Sequence, residues 1–354
     1  MSMSQQDEPD PGALERQHGR QRRWSRGTTI GACAVAAAIG LVALAVILMT
    51  RPGETAATRG ANASIDTAIA ATAPRPPNVD YMIDLSTGTT TPLPDALIVS
   101  VAEFGRSPET KYAASPDGST LAYVGFGDDE NPQIFVARID GTGIRQLTHD
   151  VRETMSPAWS PDGTSIAYIG YGPRWAGNRR QLFVVDVATG HSSRISGHTR
   201  EVWSPQFTPD GSSILYSGGP TYSPRVMTVP VAGGRSTVFL RPSYGLEDTG
   251  NGSLSPDGSL VTFVGGGFPK EADHHCGPCR FVANADGTDR RVVYGECWGA
   301  SPAGAWSPDG TRIVCSDDRN GIVVVDVATG IASRVAEGQS AIWLDRQTLL
   351  VDIA

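Results

Sequence analysis

Two hydrophobic regimes divide the chain. Residues 27–50 form one unbroken apolar run, whereas from Val79 onward the apolar positions come in short runs separated by turn residues. The short runs, such as Leu121-Ala122-Tyr123-Val124, Ile166-Ala167-Tyr168-Ile169 and Leu260-Val261-Thr262-Phe263, are rich in β-branched and aromatic residues, and they read as strands. Each is preceded by the same tetrapeptide. Ser115-Pro116-Asp117-Gly118 recurs as Ser160–Gly163, Thr208–Gly211, Ser255–Gly258 and Ser307–Gly310, at spacings of 45, 48, 47 and 52 residues. Its mechanics are those of a hairpin: Pro sets φ, the Asp side chain binds nearby N–H groups, and Gly takes the left-handed position.

A second turn alternates with the first: Asp140-Gly141-Thr142, Ala188-Thr189-Gly190, Ala232-Gly233-Gly234, Asp286-Gly287-Thr288 and Ala328-Thr329-Gly330. One repeat is therefore four antiparallel strands joined by tight turns. Val79–Gly88 reads as the second half of such a repeat, and residues 341–353, after a worn turn at Trp343–Arg346, as a first half. Joined, they complete a sixth unit, and the 276 positions from 79 to 354 divide into 46 per unit. The expected fold is all-β: a six-bladed β-propeller closed by strands from both ends of the chain, which leaves few exposed sheet edges. The 41 Gly and 25 Pro agree with so many turns.

The repeated Trp-Ser-Pro-Asp-Gly element, as at Trp159–Gly163 and Trp306–Gly310, resembles the propeller repeat of the TolB family, which also occurs in the non-catalytic domain of prolyl-oligopeptidase-like enzymes. The resemblance covers residues 79–354 and implies the fold rather than a function. TolB carries a small α/β domain ahead of its propeller, and this chain has an apolar segment and a linker there instead. The oligopeptidase-like enzymes add a hydrolase domain with a Gly-x-Ser-x-Gly elbow, a motif that the sequence lacks.

The N-terminal run changes the picture of where the propeller works. Gly27–Thr50 contains 24 consecutive uncharged positions, about 36 Å of helix against a bilayer core of about 30 Å. Arg16, Arg20, Arg22, Arg23 and Arg26 precede it, and only Arg51 and Arg59 follow closely. The positive-inside rule then places the N-terminus in the cytoplasm. The expected organisation is a cytoplasmic tail over residues 1–26, a transmembrane helix over 27–50, an extracytoplasmic linker over 51–78 and the propeller over 79–354: a single-pass protein of the cell membrane. A cleaved signal peptide is the main alternative. Arg22-Arg23-Trp24 and Ile30-Gly31-Ala32-Cys33 only faintly resemble a twin-arginine signal and a lipoprotein box. Outside the first 78 residues, 21 basic against 31 acidic residues argue against nucleic acid as a partner.

Three groups of residues are candidates for function. The positions before the first turn (Ala114, Trp159, Phe207, Leu254, Trp306, Trp343) repeat so strictly that they read as packing between blades. The loops that lead into each first strand lie at one rim of the central channel. There His149, Asp150, Arg152 and Glu153 are nearly copied by His198, Arg200 and Glu201 in the next repeat, and Asp248, Asn251 and Trp298 occupy comparable loops. These ten residues suit an envelope protein, peptide or glycan as partner. The bland alternative is a set of solvated turn residues and weak rim ion pairs. No third ligand spacing fixes a metal on His149 and His198, and no cofactor is implied.

Cysteines form the third group. Cys276, Cys279, Cys297 and Cys315 fall within 40 residues. Cys276-Gly277-Pro278-Cys279 has a redox-motif spacing, but that chemistry needs a helix N-terminus, and Arg280-Phe281-Val282 reads as a strand. Zinc binding is a further alternative. Disulfides are favoured in an extracytoplasmic domain, with three pairings open, and bridges from the 265–279 loop to Cys297 and Cys315 preferred. The sequence thus suggests a non-enzymatic binding scaffold, the alternative being a lyase or hydrolase at the channel mouth.

Overall fold

The computed structural model describes residues 79–353 except 99–110, 129–130, 150–152, 172–178, 196–201, 220–224, 242–245, 268–275, 296–304 and 318. The expected tail, membrane helix and linker lie outside the described residues. No helix among those described is long and apolar enough to cross a membrane.

The described residues fold into six antiparallel sheets. Blade 1 holds β3 (Tyr112–Ala114), β4 (Thr120–Phe126), β5 (Pro132–Arg138) and β6 (Arg145–Gln146). Blade 2 holds β7 (Thr154–Trp159), β8 (Ser165–Tyr171), β9 (Arg180–Asp186) and β10 (Ser192–Arg194). Blade 3 holds β11 (Val202–Phe207), β12 (Ser213–Gly218), β13 (Arg225–Pro230) and β14 (Thr237–Val238). Blade 4 holds β15 (Leu246–Leu254), β16 (Leu260–Gly267), β17 (Cys276–Asn284) and β18 (Arg291–Tyr294). Blade 5 shows β19 (Arg312–Ser316), β20 (Gly321–Asp326) and β21 (Ala332–Glu337), with its innermost position marked by a bridge from Trp306 to Ile313.

Blade 6 is the closure. From the inside outward it runs β22 (Ser340–Trp343), β23 (Thr348–Asp352), β1 (Tyr81–Asp84) and β2 (Thr90–Pro92), so the last strand of the chain pairs with the first. Tyr81 pairs with Val351 and Ile83 with Leu349. Six apolar clusters fill the six blade interfaces, including blade 6 against blade 1 through Ile342, Leu344, Tyr112 and Leu121. The ring is therefore closed by packing as well as by the ladder between β1 and β23.

The tetrapeptide turns behave as their chemistry requires. In blade 2, Ser160 Oγ donates to Asp162 Oδ1 (2.6 Å) and accepts from Ser165 N (2.9 Å), while Thr164 N donates to the same Asp162 oxygen (3.0 Å). The glycines of the five copies have φ of 69° to 74°. A Cβ on Gly118 would also meet Leu344 O at 2.6 Å, so this turn presses on the closing blade. Aromatics on the second and third strands stack as cross-strand pairs: Tyr123 with Phe135, Tyr168 with Phe183 and Phe263 with Phe281, at 5.3 to 5.7 Å.

The residues before the turns pack between blades, as expected. Indole N–H groups add a polar link. Trp159 Nε1 donates to Ala113 O (3.1 Å), Trp306 Nε1 to Ser253 O (3.0 Å) and Trp343 Nε1 to Ala305 O (3.3 Å), each carbonyl belonging to the preceding blade.

Candidate functional site

The innermost strands carry a repeated irregularity that the sequence reading missed. Register shifts fall between Met155 and Ala158 in β7, Trp203 and Gln206 in β11, and Gly250 and Ser253 in β15. The residue at each bulge, Ser156, Ser204 or Asn251, adopts a left-handed conformation with φ of 53°, 55° and 49°. Pro157 and Pro205 sit inside β7 and β11. A proline is tolerated there because an edge strand has no inner neighbour to receive its missing N–H, and the bulge already interrupts the ladder. Asn251 ties adjacent blades together. Its N–H donates to Ser217 Oγ (2.7 Å), and its Oδ1 accepts from Ser204 Oγ (3.1 Å).

Only part of the expected rim set falls in described positions. His149 is exposed, and its Nδ1 accepts from Gln146 Nε2 at 3.0 Å. Glu153 is half-buried, and its carbonyl accepts from Tyr171 N at 3.0 Å. Asp248 and Asn251, expected in a loop, lie within β15, whose pairing with the glycine run of β16 carries the strand to the rim. Asp150, Arg152, His198, Arg200, Glu201 and Trp298 lie outside the described residues.

A different cluster occupies the rim between blades 2 and 3. Arg180, at the start of β9, places its guanidinium 5.9 Å from the Tyr171 ring and 5.8 Å from the Trp203 ring, and its Nε donates to Tyr171 Oη at 3.0 Å. All three are half-buried and sit at the rim ends of their strands. Such stacking of a cation on two aromatic faces holds the side chains in fixed positions. The only sequence signal was a Tyr and an Arg at the two ends of one hairpin.

Cys276 and Cys279, expected in a loop, are part of β17. Gly265 pairs with Cys279 and Gly267 with Cys276, so the sheet absorbs the end of the connection. Cys279 and Cys315 are buried, at 2% and 1% exposure, on the two sides of blade 4: Cys279 against blade 3 and Cys315 against Val282. Both are disulfide-bonded. The Cys276 side chain and Cys297 lie outside the described residues. Among the described residues, no three His, Cys, Asp or Glu side chains come together as a metal-binding group.

Next to Cys279, Arg280 is the largest fully buried side chain among the described residues. Its Nη1 reaches Asn251 O at 3.4 Å, which directs the guanidinium inward across β16. Burial lowers its pKa to about 10, so it remains a cation at neutral pH.

With this geometry in hand, comparison with known proteins places the fold. Residues 98–269 match the family model described as the TolB beta propeller domain. Over those residues the propeller resembles the TolB-like repeat family. TolB from Acinetobacter baumannii superposes with a TM-score of 0.52 at 15% identity, over 77% of this chain and 63% of that one. A TolB-type protein from Agrobacterium tumefaciens superposes with a TM-score of 0.47 at 22% identity, over 56% of this chain and 70% of that one, and a puromycin-hydrolyzing peptidase from Mycobacterium tuberculosis with 0.48 at 19%, over 65% and 37%. The chain thus spans less than two thirds of the Acinetobacter protein. No curated protein matches the sequence.

Proposed function

We propose that the protein is a membrane-anchored, extracytoplasmic binding scaffold that presents the rim of its propeller to a protein, peptide or glycan of the cell envelope. One observation carries this reading: Tyr171, Arg180 and Trp203 converge at the rim between blades 2 and 3. Tyr, Trp and Arg are the residue types that dominate binding hot spots, because each combines a large apolar face with a polar tip. Here they are already held in place, so little side-chain entropy remains to be lost on binding. The exposed His149 and half-buried Glu153 extend the same rim. The apolar run 27–50 and its arginine flanks support the anchor.

The test uses the full-length chain in detergent, screened against envelope extracts, peptide libraries and glycan arrays. A specific ligand should be found whose affinity drops at least tenfold in Trp203→Ala and Arg180→Ala. Binding that ignores both substitutions would remove the rim from the account. A reporter fused to the C-terminus should be active only when the enzyme chosen needs an extracytoplasmic location. The alternative, a lyase or hydrolase at the channel mouth, makes a different forecast in the same screen: turnover of the ligand rather than its retention.

A further inference from the structure

Arg280 presents a chemical demand that the described residues around it do not meet. The guanidinium is fully buried, and its Nε and Nη2 have no acceptor among the described residues. Those two N–H groups form one edge of the planar fork, the edge that holds two oxygens of a carboxylate side by side. Nη1, on the other side, makes a long contact to Asn251 O. A desolvated cation without a counter-charge is costly, and natural interiors pair such groups.

The register shows what faces the fork. From the inner strand outward, the row containing Arg280 reads Gly250, Val264, Arg280, Tyr294. Gly250 puts no side chain on that face. The adjacent row on the same face reads Ser253, Thr262, Val282, Arg291. Ser253 is also fully buried, and its Oγ has no partner among the described residues. Val282 on this face packs against Ile313 and Cys315, which fixes the location as the interface of blades 4 and 5.

We infer that the Nε/Nη2 edge of Arg280, assisted by Ser253 Oγ, receives the carboxylate of a ligand that reaches this interface from the channel. A carboxylate brings one charge and two coplanar oxygens, which match one guanidinium edge. A phosphate dianion calls for a second cation, and Arg291 in the next row is committed to Val327 O at 2.6 Å. The inference stands apart from the rim cluster: it holds whether or not Trp203 contacts a partner.

The experiment follows thermal unfolding and calorimetric titration of the full-length chain in detergent with sodium formate, acetate and phosphate against sodium chloride at constant ionic strength. Formate or acetate should raise Tm over chloride, by about 5 °C at a hundredfold excess over Kd and further with the logarithm of concentration, and the calorimetric titration should saturate. The rise should vanish in Arg280→Met, and the acetate Kd should weaken at least tenfold in Arg280→Lys, which keeps the charge but loses the fork, and in Ser253→Ala. Should Arg280→Met fail to fold, the Lys and Ala variants decide alone. Three outcomes overturn the inference: no rise over chloride, as when a carboxylate of the chain itself fills the fork; a rise with phosphate only; or an equal rise in the variants, which marks binding elsewhere on the surface.

Discussion

Lys111 Nζ lies 2.8 Å from Asp352 Oδ1, joining the inner edge of blade 1 to the last strand of the chain across 241 residues of sequence. Both side chains are buried, at 7% and 10% exposure. Asp80 adds a second clasp, accepting from Tyr112 Oη (2.7 Å) and Ile353 N (3.0 Å). Removing one partner of a buried pair strands the other charge, at a cost of about 3–5 kcal/mol. Lys111→Met and Asp352→Leu should each lower the unfolding free energy from urea titration by that much, and the double variant should recover most of the loss. A single-variant loss below about 1 kcal/mol would mean that closure rests on the ladder and the apolar cluster alone.

The indole links between blades give a second forecast. Replacing Trp306 by Phe keeps most of the apolar contact but leaves Ser253 O without its donor in a dry interface, at a cost of about 1–3 kcal/mol. The half-buried Trp159, which donates to Ala113 O, should lose less in Trp159→Phe because water can reach the freed carbonyl. Urea unfolding of the two variants side by side checks the order. Equal losses would show that the indoles act by shape rather than by their N–H groups.

The ring was legible in the sequence because its determinants are local. A Ser-Pro-Asp-Gly turn followed by a β-branched run dictates a hairpin wherever it occurs, and counting copies gives the closure. What escaped depends on contacts that only the closed ring creates. Ser156-Pro157 looks like a strand boundary until the strand is known to be the innermost edge. Arg280 looks like an ordinary strand residue beside a cysteine until β16 and β17 pair and bury it. Tyr171, Arg180 and Trp203 come from two blades, so no spacing joins them. The histidine and arginine near-copies around 149 and 198 drew notice by their similarity, a pattern that says nothing of convergence in space.

The turn aspartates set the response to acid. Hydrogen bonds, first from the side chains of Ser115, Ser160, Thr208 and Ser255, hold the carboxyls of Asp117, Asp162, Asp210 and Asp257 below the ordinary range. A folded-state pKa below the unfolded value of about 3.9 favours the native state at higher pH. That contribution is complete well above 3.9 and disappears as pH falls through the lowered values. The urea midpoint should therefore be insensitive to these groups between pH 7 and 5 and drop below about pH 4. Asp162→Asn should shallow the acid limb; an unchanged limb would show that solvent screening cancels the effect at this exposed turn.

Arg280 yields the sharpest test of how a site is held inside a fold. In buffer free of carboxylates, a lone buried guanidinium opposes folding, because the unfolded chain hydrates it fully. Arg280→Met keeps a similar unbranched shape, removes the charge and suits the apolar contacts of Val282 and Tyr294 across the blade interface. Replacing buried ionic groups with apolar residues of similar volume commonly stabilises by about 1–4 kcal/mol. The variant should therefore have a higher urea midpoint than the parent protein. Adding acetate should narrow the difference, since only the parent binds it. A variant several kcal/mol less stable than the parent would show instead that the guanidinium is already neutralised within the chain, and that its burial serves the fold rather than a ligand.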